Sequence, residues 1–234
     1  MPAKYITLNA KDGSGSYTGY LALPDSGTGP GVVVIQEIFG INTPMREICD
    51  QLANQGYMAL CPDLFWRQEP GIQLNDKIQK DWDRAFELYQ GFDVDKGIDD
   101  IQTALSWLRK ADGSNGKAGV IGYCLGGFLA YLSACWTDAD AAVGYYGVSI
   151  DSKLDEADTI KGHLLLHVAT EDEFVDKAAQ QAMHNALDNH PRITLHDYEG
   201  MNHAFARPGG THYDEKAAKK ANDRTLEFLK TRLG

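Results

Sequence analysis

The sequence predicts an α/β protein with a mostly parallel central sheet and helices on both faces. Three observations predict it. Strand-like runs alternate with helix-like stretches along the whole chain, the order that builds a parallel sheet through crossover helices. One run, GVVVIQ at 31–36, is apolar without alternation, as a strand buried on both faces must be. A glycine-flanked cysteine, Gly122-Tyr123-Cys124-Leu125-Gly126, joins an apolar strand to an apolar helix.

Taken in order, Tyr5–Leu8 and Tyr17–Leu23 flank a Gly- and Ser-containing turn at 11–16 and read as a hairpin. After the 31–36 strand, Pro44–Asn54 reads as a helix that stops near Gly56. Tyr57–Cys61 is the next strand, and Pro62, which cannot donate to a ladder, marks its exit. The stretch 62–76 is loop-like, carries Phe65 and Trp66, and is expected to edge a cleft. Helices are expected over 76–89 and 94–110, a strand over 118–122, a helix over 125–135 and a strand over 141–146. A strand at 164–169, a helix at 177–189, a strand at 194–198 and a closing helix at 213–232 complete the pattern.

The 234 residues show no composition break and read as one domain, 1–234. Hydrophobic residues at 43% and charged residues at 24% are a globular balance. The net charge of −11 argues against nucleic acid or anionic membrane as partner, and means that an anionic substrate needs a local cation. No apolar run is long enough to span a membrane, and Met1–Tyr5 leads into strand-like sequence, not a signal core. The four cysteines form no CxxC pair and suggest neither a zinc site nor any other metal or cofactor. Free thiols, a cytoplasmic location and a monomer are expected.

The segment around Cys124 has the form of a nucleophile elbow, glycine-x-nucleophile-x-glycine, in its strand–turn–helix context. Its glycines allow a strained turn and close packing of helix on strand. The thiol then sits at a helix N-terminus, which favours thiolate, and the Leu125 backbone N–H is aimed at an oxyanion. Cys49, Cys61 and Cys135 read as inert core fillers. A thiol nucleophile needs a base. Of the seven histidines, His163 and His167 flank a buried strand and read as structural, whereas His203 lies in the loop after 194–198 and before the last helix. His212 is the other loop histidine. The acid belongs after strand 164–169, by the order nucleophile, acid, histidine. Spacing leaves Glu171, Asp172 and Glu173 equally open. Glu37, just after the most buried strand, is a further acidic candidate.

These residues together resemble the dienelactone hydrolase family. The resemblance spans nearly the whole chain. It rests on Gln36-Glu37-Ile38-Phe39-Gly40, Cys61-Pro62-Asp63-Leu64, Gly122-Tyr123-Cys124-Leu125-Gly126-Gly127, Asp172 with Val175, and His203-Ala204-Phe205 with Arg207. It implies an α/β-hydrolase fold and a Cys124–Asp172–His203 triad, and so singles out Asp172. It further implies that Glu37 holds the resting thiol neutral until substrate binds, that the N–H groups of Ile38 and Leu125 hold the oxyanion, and that Arg207 receives a substrate carboxylate. The implied reaction opens an enol-lactone to maleylacetate through an acyl-enzyme. In the segment 81–89, Trp82 stands where the family carries a second arginine, with Arg84 two residues later and Phe86 and Tyr89 at its aromatic positions. Ala169 and Asp176 replace a glycine and a proline common in the family.

Other readings stay in view. A glutamine amidotransferase-like domain shares G-x-C-x-G, but its acid follows the histidine by two residues, where this chain has Phe205. A cysteine-dependent esterase or lactonase for other small esters shares every catalytic element. A redox-sensing, non-catalytic protein would use Cys124 without needing His203, Asp172 and Glu37.

Overall fold

The computed structural model describes residues 3–234; Met1 and Pro2, which head the stretch read above as lacking a signal core, lie outside them. The described chain falls into two units, Met1–Val120 and Ile121–Gly234.

In the first unit β1 (Lys4–Asn9) and β2 (Ser16–Ala22) form the expected hairpin, in antiparallel register from Lys4 opposite Leu21 to Asn9 opposite Ser16. β3 (Gly29–Ile35) follows, and its Val32-Val33-Val34-Ile35 run is wholly buried, which is why it shows no alternation. Helix α1 (Thr43–Asn54) is capped by Asn42, whose side chain accepts the Met45 N–H, and carries a proline in its first turn where no donor is missed. β4 (Met58–Pro62) lies between β2 and β3, antiparallel to the first and parallel to the second. Pro62 is its last residue, opposite Gly19.

Helix α2 spans Gln79–Gln90, starting three residues later than the sequence pattern suggests. Ile78 is extended, the Asn75 N–H donates to Asp81 Oδ2 at 2.8 Å, and Trp82 Nε1 donates to the Asp76 carbonyl at 2.6 Å. These local bonds turn 75–78 into a loop that caps the helix from outside. Helix α3 (Val94–Lys110) has the predicted bounds. Asp93 caps it through the Lys96 N–H, Asp95 lies in its first turn, and Arg109 and Lys110 lie in its last, each sign matched to the helix dipole. α1 packs on β4 and α3 on β3. Strand β5 (Ser114–Tyr123) neighbours β3 and is four residues longer at its start than its apolar core suggests.

In the second unit the end of β5 leads into α4 (Leu125–Trp136), which is buried along nearly its whole length. β6 (Ala141–Tyr145), β7 (His163–Ala169) and β8 (Ile193–Tyr198) follow β5 in order, with β6, β7 and β8 parallel. The 3-10 turns over Ile150–Thr159 lie in a charged stretch without helical periodicity and are not among the predicted elements. They are held by tertiary bonds instead. Tyr131 Oη donates to the Lys153 carbonyl and Thr159 Oγ1 to the Cys135 carbonyl, both at 2.9 Å. Helix α5 (Lys177–Leu187) is capped by Asp176, which accepts the Ala179 N–H at 2.8 Å. The aspartate that replaces a family proline therefore serves as an N-cap. Helix α6 (Glu215–Leu233), capped by Asp214, packs on β6 and β7. Among the described residues no helix is long and apolar enough to cross a membrane.

Candidate active site

The elbow forms because glycine is required around Cys124. A Cβ on Gly122 would meet the Gly126 carbonyl oxygen at 1.8 Å, and one on Gly127 would meet that of Tyr145 at 2.6 Å. Cys124 itself adopts φ 57° and ψ −116°, a conformation costly for any side-chain-bearing residue and typical of strained functional turns. Its backbone is pinned on both sides. The Cys124 N–H donates to the Tyr145 carbonyl at 3.1 Å, and its own carbonyl accepts from Gly127 and Phe128. Cys124 is half-buried, whereas Cys49, Cys61 and Cys135 are buried, and all four are free thiols. Burial pushes the Cys49 thiol well up and the Cys135 thiol up to about 11, which keeps both protonated and inert. The Leu125 N–H sits in the first turn of α4, where a helix amide has no acceptor within its own helix.

β7 ends one loop and β8 another, and these two loops meet. His203 Nδ1 donates to both Asp172 oxygens, at 3.0 and 2.9 Å, with both side chains buried. Asp172 Oδ1 also accepts the Phe174 N–H at 2.9 Å. The other two acids of the cluster go elsewhere: Glu171 pairs with Lys177 at 2.8 Å, and Glu173 lies 3.7 Å from His212, both at the surface. His203 also makes a side-chain hydrogen bond with Cys124. Burial lowers the pKa of His203, but the Cys124 sulfur and the bonds to Asp172 and Cys124 outweigh it, and the imidazole is pushed up to about 10.

Three residues at this site escaped the sequence reading. Asn202 Oδ1 accepts the Glu173 N–H at 3.0 Å and the His203 N–H at 2.6 Å, so one side chain ties the acid loop to the histidine loop. Tyr146 and Phe174 meet the His203 ring edge-on, with centroids at 5.1 and 4.8 Å. Asn202 adjoins His203 in sequence, and its turn-forming type was the available signal. Nothing in sequence spacing points to the two aromatics. Ala204, with φ 61°, turns the chain after His203, and Arg207 closes that turn by donating its N–H to the Ala204 carbonyl at 3.0 Å. His212 is bonded through Nδ1 to the His203 carbonyl at 3.1 Å, a support for the loop.

In the first unit the loop Gln36-Glu37-Ile38-Phe39-Gly40 is tightly built. Gln36 Oε1 accepts the Leu64 N–H, and the Phe39 carbonyl accepts the Leu74 N–H. Gly40 has φ 75°, and a Cβ there would lie 2.0 Å from the Ile72 carbonyl oxygen. Glu37 and Ile38 are buried. Asp63, buried beside this loop, accepts the N–H groups of Phe65 and Gly71, and its role is to fold the 63–71 turn. On α2, Trp82 packs at a tilt against Phe86 and meets Phe39 edge-on, with centroids at 5.6 and 4.9 Å. Tyr89 is half-buried and Phe86 exposed. Arg84 is held at the surface by Glu69 at 2.5 Å and Glu87 at 2.6 Å. Among the described residues no group of three or more His, Cys, Asp or Glu could hold a metal ion.

Such a strained cysteine elbow followed by an acid loop and a histidine loop, on an α/β scaffold, defines a class of hydrolases. Residues 17–233 match the dienelactone hydrolase family, and the chain belongs to it. It has the α/β-hydrolase fold and is a carboxylic ester hydrolase. A carboxymethylenebutenolidase of Pseudomonas putida is 38% identical over 224 residues, covering 96% of this chain and 94% of the relative. A provisionally named carboxymethylenebutenolidase of Azospirillum brasilense is 44% identical over 238 residues, covering 98% and 99%. Among solved structures, a Klebsiella pneumoniae protein provisionally described as a dienelactone hydrolase superposes with a TM-score of 0.83 at 25% identity, covering 98% of this chain and 99% of that one.

Proposed function

We propose that this chain hydrolyses a dienelactone, 4-carboxymethylenebut-2-en-4-olide, to maleylacetate through a Cys124 acyl-enzyme. The observation that carries the reading is His203, bonded at Nδ1 to both oxygens of Asp172 and in hydrogen-bond contact with the Cys124 thiol. Family membership supports it, as do relatives that carry the name carboxymethylenebutenolidase.

In this reading the Cys124 thiolate attacks the lactone carbonyl and the oxyanion is received by the Leu125 N–H. The C–S bond forms and the ring C–O bond breaks. The electron pair leaves on the enol oxygen, His203 supplies its proton, and the freed enol becomes the ketone of the product. A water, deprotonated by His203, then cleaves the thioester and restores the thiol. Asp172 keeps the imidazole in the tautomer with Nδ1 protonated and stabilises its cationic form. By family resemblance Ile38 adds a second oxyanion N–H, and Glu37 holds the resting thiol neutral; Glu37→Gln is then expected to lower kcat more than it weakens binding. The substrate is a small anionic lactone, and Arg207 is the cation that reads its carboxylate.

A second reading, an esterase or lactonase for uncharged small esters, is favoured by one observation: Arg84, the remaining candidate cation, is already paired with Glu69 and Glu87. Kinetics on a dienelactone with a free carboxylate and on its neutral ester separate the two. Arg207→Ala is expected to raise KM for the acid alone, by about ten- to a hundredfold, the value of a charge-assisted contact of about 1.5–3 kcal/mol. Equal losses on both substrates would leave Arg207 a loop residue and support the second reading.

A further inference from the structure

Beneath the catalytic loops runs a chain of side-chain hydrogen bonds, buried at its centre and open to the surface at Asn222 and Arg224, and chemistry fixes its direction. Arg224 can only donate, and its Nη1 lies 3.2 Å from Tyr198 Oη. The Tyr198 proton is then free for His167 Nδ1, 2.8 Å away, which makes that nitrogen the acceptor. A neutral imidazole that accepts at Nδ1 carries its proton on Nε2, and this donates to Thr225 Oγ1 at 2.9 Å. Thr225 in turn donates to Tyr145 Oη at 2.6 Å, because Tyr145 spends its own proton on Asn222 Oδ1 at 2.9 Å. Every hydroxyl gives once and receives at least once, and only one tautomer of His167 satisfies all of them.

The chain touches β6, β7 and β8 and, through the Tyr145 ring, the end of β5. The Tyr145 carbonyl anchors the Cys124 N–H. The Tyr145 ring stacks on Tyr123, the residue before the nucleophile, at 4.7 Å, and lies 4.3 Å from the His167 ring. Tyr198 stacks on Phe205, two residues beyond His203, at 4.7 Å. The His167 carbonyl accepts the Tyr146 N–H at 2.8 Å, and Tyr146, held at φ 39°, places its ring edge against His203. His167 is thus joined by two contacts to the backbone of Cys124 and by two to the ring of His203.

We propose that His167, fixed as the neutral Nε2–H tautomer between Tyr198 and Thr225, is a positioning residue that sets the spacing of Cys124 and His203. The proposal rests on the reading of Cys124 and His203 as nucleophile and base. It acts through strand ends and touches no substrate.

The test combines spectroscopy and kinetics on the full chain. Nitrogen-15 NMR of the labelled wild-type protein should show His167 protonated at Nε2 and bare at Nδ1; a proton on Nδ1 would overturn the proposal whatever the variants do. Thr225 lies on α6, away from the reacting atoms, so its variants probe the chain without touching the site. With p-nitrophenyl acetate, Thr225→Val should lose about tenfold in kcat with KM held, the scale of a small misplacement of catalytic groups. Thr225→Ser, which keeps the hydroxyl, should restore most of it. A valine variant that melts earlier but keeps wild-type kcat when folded would make the chain merely structural and overturn the idea, as would a serine variant equally impaired. Failure of the underlying reading has a different signature: Cys124→Ala would retain turnover, which overturns both, whereas a failed positioning role leaves turnover dependent on Cys124.

Discussion

His203 and His167 are both buried on the same unit and sit one strand apart, yet their surroundings drive their charge in opposite directions. Burial alone lowers both. At His203 a thiol and a carboxylate more than compensate, and the imidazole is pushed up to about 10. At His167 the partners are two neutral hydroxyls, and burial together with the nearby His196 and Arg224 holds it well below its usual value. Burial therefore does not decide what a core histidine does; the charge of its partners does. The first pocket can take up and release a proton during a reaction, and the second can only hold a shape.

The sharpest way to break this contrast is to remove the carboxylate from the first pocket. Asp172→Asn keeps the shape but cannot stabilise an imidazolium, and is expected to lower kcat on a dienelactone by roughly 10²- to 10⁴-fold with a smaller change in KM. Steady-state kinetics check it, and wild-type kcat would mean that His203 works without its partner.

A second way is through stability. His203 has a raised folded-state pKa, so the stability it contributes is fully present below about 6.5, its usual unfolded value, and is lost as pH rises toward about 10. His167 has a lowered one, so its contribution is present above about 6.5 and is lost as pH falls below that. Melting temperature against pH should therefore fall on both sides. His203→Gln should flatten the alkaline limb and leave the acid limb in place. A variant with both limbs unchanged would contradict the electrostatics of the site.

The smallest effect is expected outside both pockets. Arg84 is paired with Glu69 and Glu87 at the surface, where water screens such pairs and leaves them weak. Arg84→Ala should change kcat/KM for an acidic lactone less than about fivefold, well short of the loss expected at Arg207. A larger loss would give Arg84 a substrate role.

What could be read from sequence follows the same division. The elbow was legible because glycines and cysteine stand at fixed local spacing, and the hairpin and α3 because their periodicity and caps are local. His203 was legible because only a loop between the last strand and last helix suits a base. The choice among Glu171, Asp172 and Glu173 was not in the spacing, since all three share one loop; it appears in space, where only Asp172 turns toward His203. The 3-10 turns at 150–159, Tyr146, Phe174 and the His167 chain were illegible for a related reason. Their partners lie far away in sequence, as Thr225 does from His167, and no local pattern records such contacts.

In the proposed reaction Cys124 is acylated and His203 drives both half-reactions. Quenching the protein with acid during turnover of a slow ester and mapping the adduct by mass spectrometry checks this. The acyl group is expected on Cys124, less of it in a His203→Gln variant that is slow in both half-reactions, and none in Cys124→Ala, which also loses turnover. An adduct on Cys49, Cys61 or Cys135, or turnover that survives Cys124→Ala, would contradict it.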